Sequence, residues 1–170
     1  MHDVVIIGGG LAGLTSSIEL ALRGYSVLVV ERKTYPFHRV CGEYVSNEVK
    51  PYLQRLGLNL NTLNVQSIHR FRFTSPSGKA LDTPLDLGGF GVSRYTLDFA
   101  LYQLAQNVGV QFLLGGSVVN PPTCDGDVYE MSTDGGIKLK AKIVLGAFGK
   151  NSRMDKTLDR EFTHQKSPYV

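Results

Sequence analysis

The chain has 170 residues, 42% hydrophobic and 19% charged, the balance of a globular protein with room for one domain and a real core. Its formal net charge is only +3, with Lys and Arg scattered, so no nucleic-acid surface is indicated, although a slight basic excess would suit an anionic cofactor. No apolar run approaches the ~18 residues of a spanning helix, and strand-like sequence from residue 3 leaves no room for a signal peptide. The expectation is a cytoplasmic protein, with peripheral membrane contact and oligomeric state left open.

In chain order, His2–Ile7 starts polar and becomes the apolar run Val4-Val5-Ile6-Ile7. Gly8-Gly9-Gly10-Leu11-Ala12-Gly13 follows, and then Leu11, Leu14, Ile18 and Leu22 recur at helical spacing until Gly24. A second apolar run, Val27–Val30, ends on Glu31. Strand, glycine turn, helix, strand and terminal acid fit one βαβ unit. In such a unit Gly8 permits the sharp turn, Gly10 lets a pyrophosphate approach the backbone, and Gly13 lets the helix pack close to the sheet. The N–H groups of Leu11 and Ala12 open the helix, where an anion is favoured. Glu31 could accept hydrogen bonds from an adenosine ribose and would disfavour a 2′-phosphate.

Residues 32–45 read as a loop of mixed aromatic, basic and thiol character, and a helix is expected over about 46–56 with Ser46 as N-cap. Residues 65–73 and 79–85 read as a hairpin about Ser75-Pro76-Ser77-Gly78. There the alternation of Arg70 and Arg72 with Phe71 and Phe73 suggests a half-buried strand. Gly88-Gly89-Phe90-Gly91 reads as a loose stretch. A helix opens near Ser93 and ends at Gly109, with Leu97, Leu101, Leu104 and Ala105 inward. Strands are expected at Val110–Leu114 and Ser117–Val119. A meander is expected through Val128–Ser132 and Ile137–Leu139, and a separate buried-type strand at Ala141–Leu145, ending Gly146-Ala147-Phe148-Gly149. Lys150–Lys166 is polar with weak periodicity. Cys124 is expected in a loop.

Several of these groups together resemble the FAD-binding half of the group-2 flavoprotein oxidoreductases, the fold shared by para-hydroxybenzoate hydroxylase, squalene epoxidase and geranylgeranyl reductase. Tyr35-Pro36-Phe37-His38-Arg39-Val40-Cys41-Gly42-Glu43 looks most like the geranylgeranyl reductase-type branch. Arg94-x-x-Leu97-Asp98 with Leu101 is similar to that branch's R-x-x-(F/L)-D-x-x-L helix. Ile143–Ser152 looks like its A-(D/T)-G-x-x-S strand end, with Phe148 as a departure. The resemblance implies an α/β, FAD/NAD(P)-binding Rossmann-like three-layer (ββα) domain with a β insertion at about 60–92 and a meander at about 115–140. It also implies an N-terminal part, incomplete relative to full-length members, without the later Gly-Asp motif and the substrate domain.

By the same resemblance Gly8, Gly10, Leu11, Ala12 and Gly13 would cradle the FAD pyrophosphate and Glu31 the ribose. Arg32 would flank the adenine, and Val118 would contact it through its backbone. Arg39 would reach toward the phosphates or flavin side, Arg94 would contact the pyrophosphate, Cys41 with Gly42 beside it would lie close to the isoalloxazine, and Gly149 would line the crevice. A cation at the start of a helix opposes its dipole, which favours a functional reading of Arg94. Cys41 and His38 are the weak catalytic candidates. The plainer reading of Cys41, and the one favoured, is a small buried thiol beside Gly42; that of His38 is a stacked loop residue. No metal site is argued.

The function implied is an FAD-dependent oxidoreductase reducing C=C bonds of a small hydrophobic, isoprenoid-like substrate, with NAD(P)H as a possible electron donor. A flavin-dependent monooxygenase (hydroxylase), a halogenase, an NAD-only Rossmann enzyme and a truncated, non-catalytic dinucleotide-binding module remain the alternatives.

Overall fold

The computed structural model describes residues 1–150 and 152–164. It divides into two compact units, Met1–Thr34 together with the described residues from Ala105 on, and Tyr35–Leu104.

The first unit is built on β1 (His2–Ile7), α1 (Leu11–Ala21) and β2 (Val27–Glu31). β1 and β2 are parallel, and Val4–Ile7 and Val27–Glu31 are all buried, the near-continuous apolar run of a covered parallel strand. β3 (Tyr44–Ser46), β4 (Gln66–Thr74) and β5 (Ala80–Gly91) belong to the second unit, as do α2 (Lys50–Arg55) and most of α3 (Arg94–Asn107). The first unit resumes with β6 (Gln111–Leu114), β7 (Thr123–Asp125), β8 (Val128–Ser132) and β9 (Lys138–Gly146). Its strand order is β6-β2-β1-β9-β8-β7. Successive strands run out from β1 to one side, and β9 lies against its other side. β1 therefore sits where the winding reverses, the place at which open α/β sheets bind ligands beyond the strands' carboxyl ends.

β9 corrects the expectation of two strands. Lys138–Ala141 pairs antiparallel with β8, and Ala141–Gly146 pairs parallel with β1. One strand changes neighbour midway, so the polar Lys140 and Lys142 do not break it. Nor is its second half buried: Ile143 is 53% exposed. Ser117–Val119 forms no strand, only an isolated bridge from Val118 to Thr133, and Cys124 lies in β7 rather than in a loop. The core of this unit joins Val5, Ile7, Leu28, Val30, Val118, Met131, Ala141 and Met154. Met154 opens the short helix α4 (Met154–Thr157) within the polar C-terminal stretch.

The amino ends of the central strands are tied by one exposed carboxylate. Asp3 accepts from Lys142 Nζ (2.7 Å), Ser26 Oγ (2.8 Å) and Ser26 N (2.9 Å). The Lys142 hydrogen bond, followed by those from Ser26, holds the Asp3 carboxyl well below its ordinary 3.8. A depressed carboxylate stabilises the fold above its unfolded pKa and loses that contribution as the pH falls through the folded value. Thermal unfolding should therefore become less pH-dependent below about pH 4 in Asp3→Asn. An unchanged slope would mean that the cluster contributes nothing.

In the second unit β5 pairs antiparallel with both β3 and β4. The hairpin turn falls at residues 75–79 as expected, with Ser75 N donating to Lys79 O. β5 runs on through Gly88–Gly91, the stretch expected to be loose. Phe90 is fully buried there and Tyr44 lies over Gly89, so close that a Cβ at Gly89 would be 2.3 Å from the ring. Glycine makes room for an aromatic neighbour rather than ending the strand. β4 is not half-buried: Phe71 and Phe73 are 49% and 63% exposed, and Arg70 and Arg72 both pair with Asp82. A ribbon paired only through β5 has little to bury either face against. The helix expected over 46–56 is a 3-10 turn, Asn47–Val49, followed by α2, and Ser46 makes no side-chain cap. Leu53, Leu56, Leu97 and Leu101 are buried as expected.

Candidate functional site

The carboxyl ends of β1, β2 and β9 are locked together. Gly8 N donates to Val30 O and Ala147 N to Ile7 O, both at 2.8 Å. The glycine turn leaves this junction. Gly8 has φ +107°, and a Cβ there would lie 2.5 Å from Ala147 O. Gly13 is more constrained, because its Cβ would lie 1.9 Å from Gly8 O. The first turn of α1 thus rests against the end of β1 at a distance only glycine permits.

Gly10 is the opposite case: a Cβ there would meet nothing within 4 Å. It is the N-cap of α1, no side chain caps the helix, and the first turn carries no acid. An eleven-residue helix with Leu11 partly exposed and Ala12 exposed at its start presents N–H donors and the positive end of its dipole to that space. The arrangement suits a phosphate group.

Glu31 is only 4% exposed. Its Oε2 accepts from Gly9 N at 2.8 Å and its Oε1 from Lys33 N at 3.0 Å. The acid at the end of β2 therefore also holds the glycine turn. Arg32 is exposed. Val118 is buried and packs in the core of this unit. Gly149 is exposed at φ +76°, its carbonyl accepting from Ser152 N.

In the second unit Arg94 occupies the first position of α3. Its Nε and Nη2 donate to the two carboxylate oxygens of Asp98 at 2.7 and 2.8 Å. Asp98 is 1% exposed. This hydrogen bond raises the Arg94 pKa, against burial, with smaller contributions from Asp98, Cys41 and Tyr35 charge. The misfit of a cation with the helix dipole is thus offset one turn along. Asp98 was part of the sequence motif but had no role assigned to it; the i,i+4 pairing rule applied to Arg94 is the signal that finds it. Arg39 Nε lies 3.6 Å from Asp98 Oδ2, and the guanidinium lies over Phe37. His38 stacks on Tyr95. The Cys41 thiol is exposed, not buried as the plain reading expects, and its sulfur accepts from Glu43 N at 3.2 Å. Gly42 is exposed, with open space where a Cβ would be. Among the described residues no cluster of three or more His, Cys, Asp and Glu could hold a metal ion, and no helix is long and apolar enough to cross a membrane.

A parallel sheet with a bare glycine turn after β1 and a buried acid ending β2 defines a dinucleotide-binding α/β domain. The FAD binding domain family matches residues 1–169, and the chain belongs to it. FAD is accordingly its cofactor. The chain is 27% identical to the menaquinone reductase of Mycolicibacterium smegmatis, over 98% of this chain and 42% of that protein. It therefore spans about two fifths of that relative's length. Two solved structures share the fold. They are p-nitrophenol 4-monooxygenase PnpA from Pseudomonas putida (TM-score 0.79, 19% identity, 93% of this chain and 43% of that one) and halogenase PltM with phloroglucinol and FAD (TM-score 0.76, 18% identity, 93% and 36%).

Proposed function

We propose that this chain serves an FAD-dependent oxidoreductase that reduces a C=C bond of a small hydrophobic, isoprenoid-like substrate, with NAD(P)H as the electron donor. The observation that carries the reading is the match to menaquinone reductase along 98% of the chain, through the Cys41-Gly42 loop and the Arg94 helix. Bound FAD supplies the two-electron chemistry, and the polypeptide binds and orients it. In this reading Gly8, Gly10, Leu11, Ala12 and Gly13 hold the pyrophosphate through the start of α1. Glu31 takes the ribose hydroxyls. Arg32 flanks the adenine, Val118 meets it through its backbone, and Gly149 lines the crevice. Arg39 and Arg94 face the cofactor's negative charge, with Cys41 and Gly42 beside them. His38 and Cys41, both exposed, are the groups that could hold a proton for the substrate.

The test is product mass. FAD-loaded protein, reduced without air, is mixed with a polyprenyl quinone, and in parallel with a phenol in air. A gain of two hydrogens that persists after the quinone ring is reoxidised in air, and so lies in the prenyl chain, is the expected result. Incorporation of one oxygen into the phenol, with NAD(P)H consumed, would replace this reading with the hydroxylase.

A further inference from the structure

We propose that Asp98 is a positioning residue for the cofactor-facing loop, its one buried carboxylate holding Arg94 of α3 and Arg39 of residues 35–43 in a fixed arrangement. The inference rests on the proposed role of those two arginines toward FAD.

Tyr95, Asp98 and Tyr102 are spaced i, i+3 and i+7 on α3 and so share one stripe of the helix. Each meets a different residue of the loop. His38 stacks on Tyr95 at 4.6 Å between ring centroids, Arg39 lies 3.6 Å from Asp98, and Tyr35 stacks on Tyr102 at 4.3 Å. The aromatic contacts at the two ends are apolar and adaptable. The central contact is ionic and sits on the most buried carboxylate of the unit, 1% exposed. Arg94 forks onto Asp98 in bidentate geometry, which fixes the carboxylate plane as well as the guanidinium. Arg39 approaches Oδ2 of that same plane, with its other face on Phe37 at 4.7 Å.

Two guanidiniums meet on one carboxylate, so both side chains are ordered before an anion arrives. Removing the carboxylate would leave two like charges together and release the loop.

Two readouts separate this from a merely structural pair. The first is tryptic cleavage after Arg39, next to the fully exposed Val40, relative to cleavage after Lys79 in the hairpin turn. The second is FAD affinity by flavin fluorescence. In Asp98→Asn the Arg39:Lys79 cleavage ratio should rise about tenfold and FAD should bind about tenfold more weakly, while Asp98→Glu restores much of both. An unchanged ratio overturns the proposal. So does faster cleavage at both sites alike, which would make Asp98 an ordinary core residue. Should Asp98→Asn fail to fold, Asp98→Glu decides alone: a near-native ratio and affinity supports the proposal, and a native ratio with lost affinity overturns it. Arg39→Gln binding FAD as tightly as the wild type would remove the cofactor role of the loop, while the cleavage ratio of the Asp98 variants, which keep Arg39, still reports on Asp98.

Discussion

Gly13→Ala is expected to destabilise the fold by about 3 kcal/mol or more and to abolish FAD binding with it. The added methyl would stand 1.9 Å from Gly8 O. That oxygen belongs to the backbone, so no rotamer change relieves the clash. Helix α1 must move off the end of β1, which is hydrogen-bonded on one side through Gly8 N to Val30 and on the other through Ile7 O to Ala147. Gly10→Ala makes the contrast. Its methyl meets no atom, and φ −80° with ψ −173° is extended backbone that alanine adopts. Its stability should stay within about 1 kcal/mol of the wild type. FAD affinity should still collapse, because the methyl occupies the space into which the helix start points. Urea unfolding and flavin fluorescence on both variants check the pair. Wild-type stability in Gly13→Ala would refute the close approach, and wild-type affinity in Gly10→Ala would mean that the pyrophosphate lies elsewhere.

The βαβ opening was legible because its signals are local and redundant. Two periods, a glycine turn and a terminal acid each constrain the same 31 residues, and β1, α1 and β2 lie where they predict. Where one signal stood alone, it misled. Gly88, Gly89 and Gly91 looked like a chain break, but the residue that explains Gly89 is Tyr44, a partner no local pattern announces. β9 read as two strands because the lysine-rich Lys138–Lys142 gives way to the apolar Ile143–Leu145, and the change of neighbour from β8 to β1 along one strand has no local signature. Arg70 and Arg72 suggested an amphipathic strand, but alternation does not reveal whether anything covers the apolar side.

The same division applies to the candidate site. Gly8, Gly10, Gly13 and Glu31 could be named because the glycine-turn motif is written within one βαβ unit. The contact by which Glu31 ties down Gly9 depends on the geometry of the turn and has no sequence signature. The loop after Glu31 has no periodicity because its conformation is imposed from outside, by the Tyr95–Asp98–Tyr102 stripe of a helix far along the chain. Tertiary contact replaces local propensity there.

Glu31→Ala is expected to reduce both stability and FAD affinity, and the linkage of the two distinguishes its roles. The carboxylate accepts from Gly9 N and Lys33 N, and hydrogen bonds to a charged acceptor contribute about 1.5–3 kcal/mol each. The Gly9 bond is buried and the Lys33 bond only partly so, which puts the larger share on the glycine turn. A loss of about 3 kcal/mol in unfolding free energy is expected for Glu31→Ala. FAD binding should weaken by about a hundredfold, since the ribose acceptor and the order of the turn are lost together. Glu31→Gln keeps one carbonyl oxygen, which can face Gly9 N while the amide turns toward the exposed Lys33. Its stability should fall between the other two, and its affinity should be lowered because a neutral amide is the weaker acceptor for a hydroxyl. If Glu31 served the ribose alone, Glu31→Ala would lose affinity at wild-type stability. If it served the turn alone, Glu31→Gln would regain affinity in proportion to its stability. An affinity loss in Glu31→Gln larger than its stability loss accounts for is the result that requires both contacts.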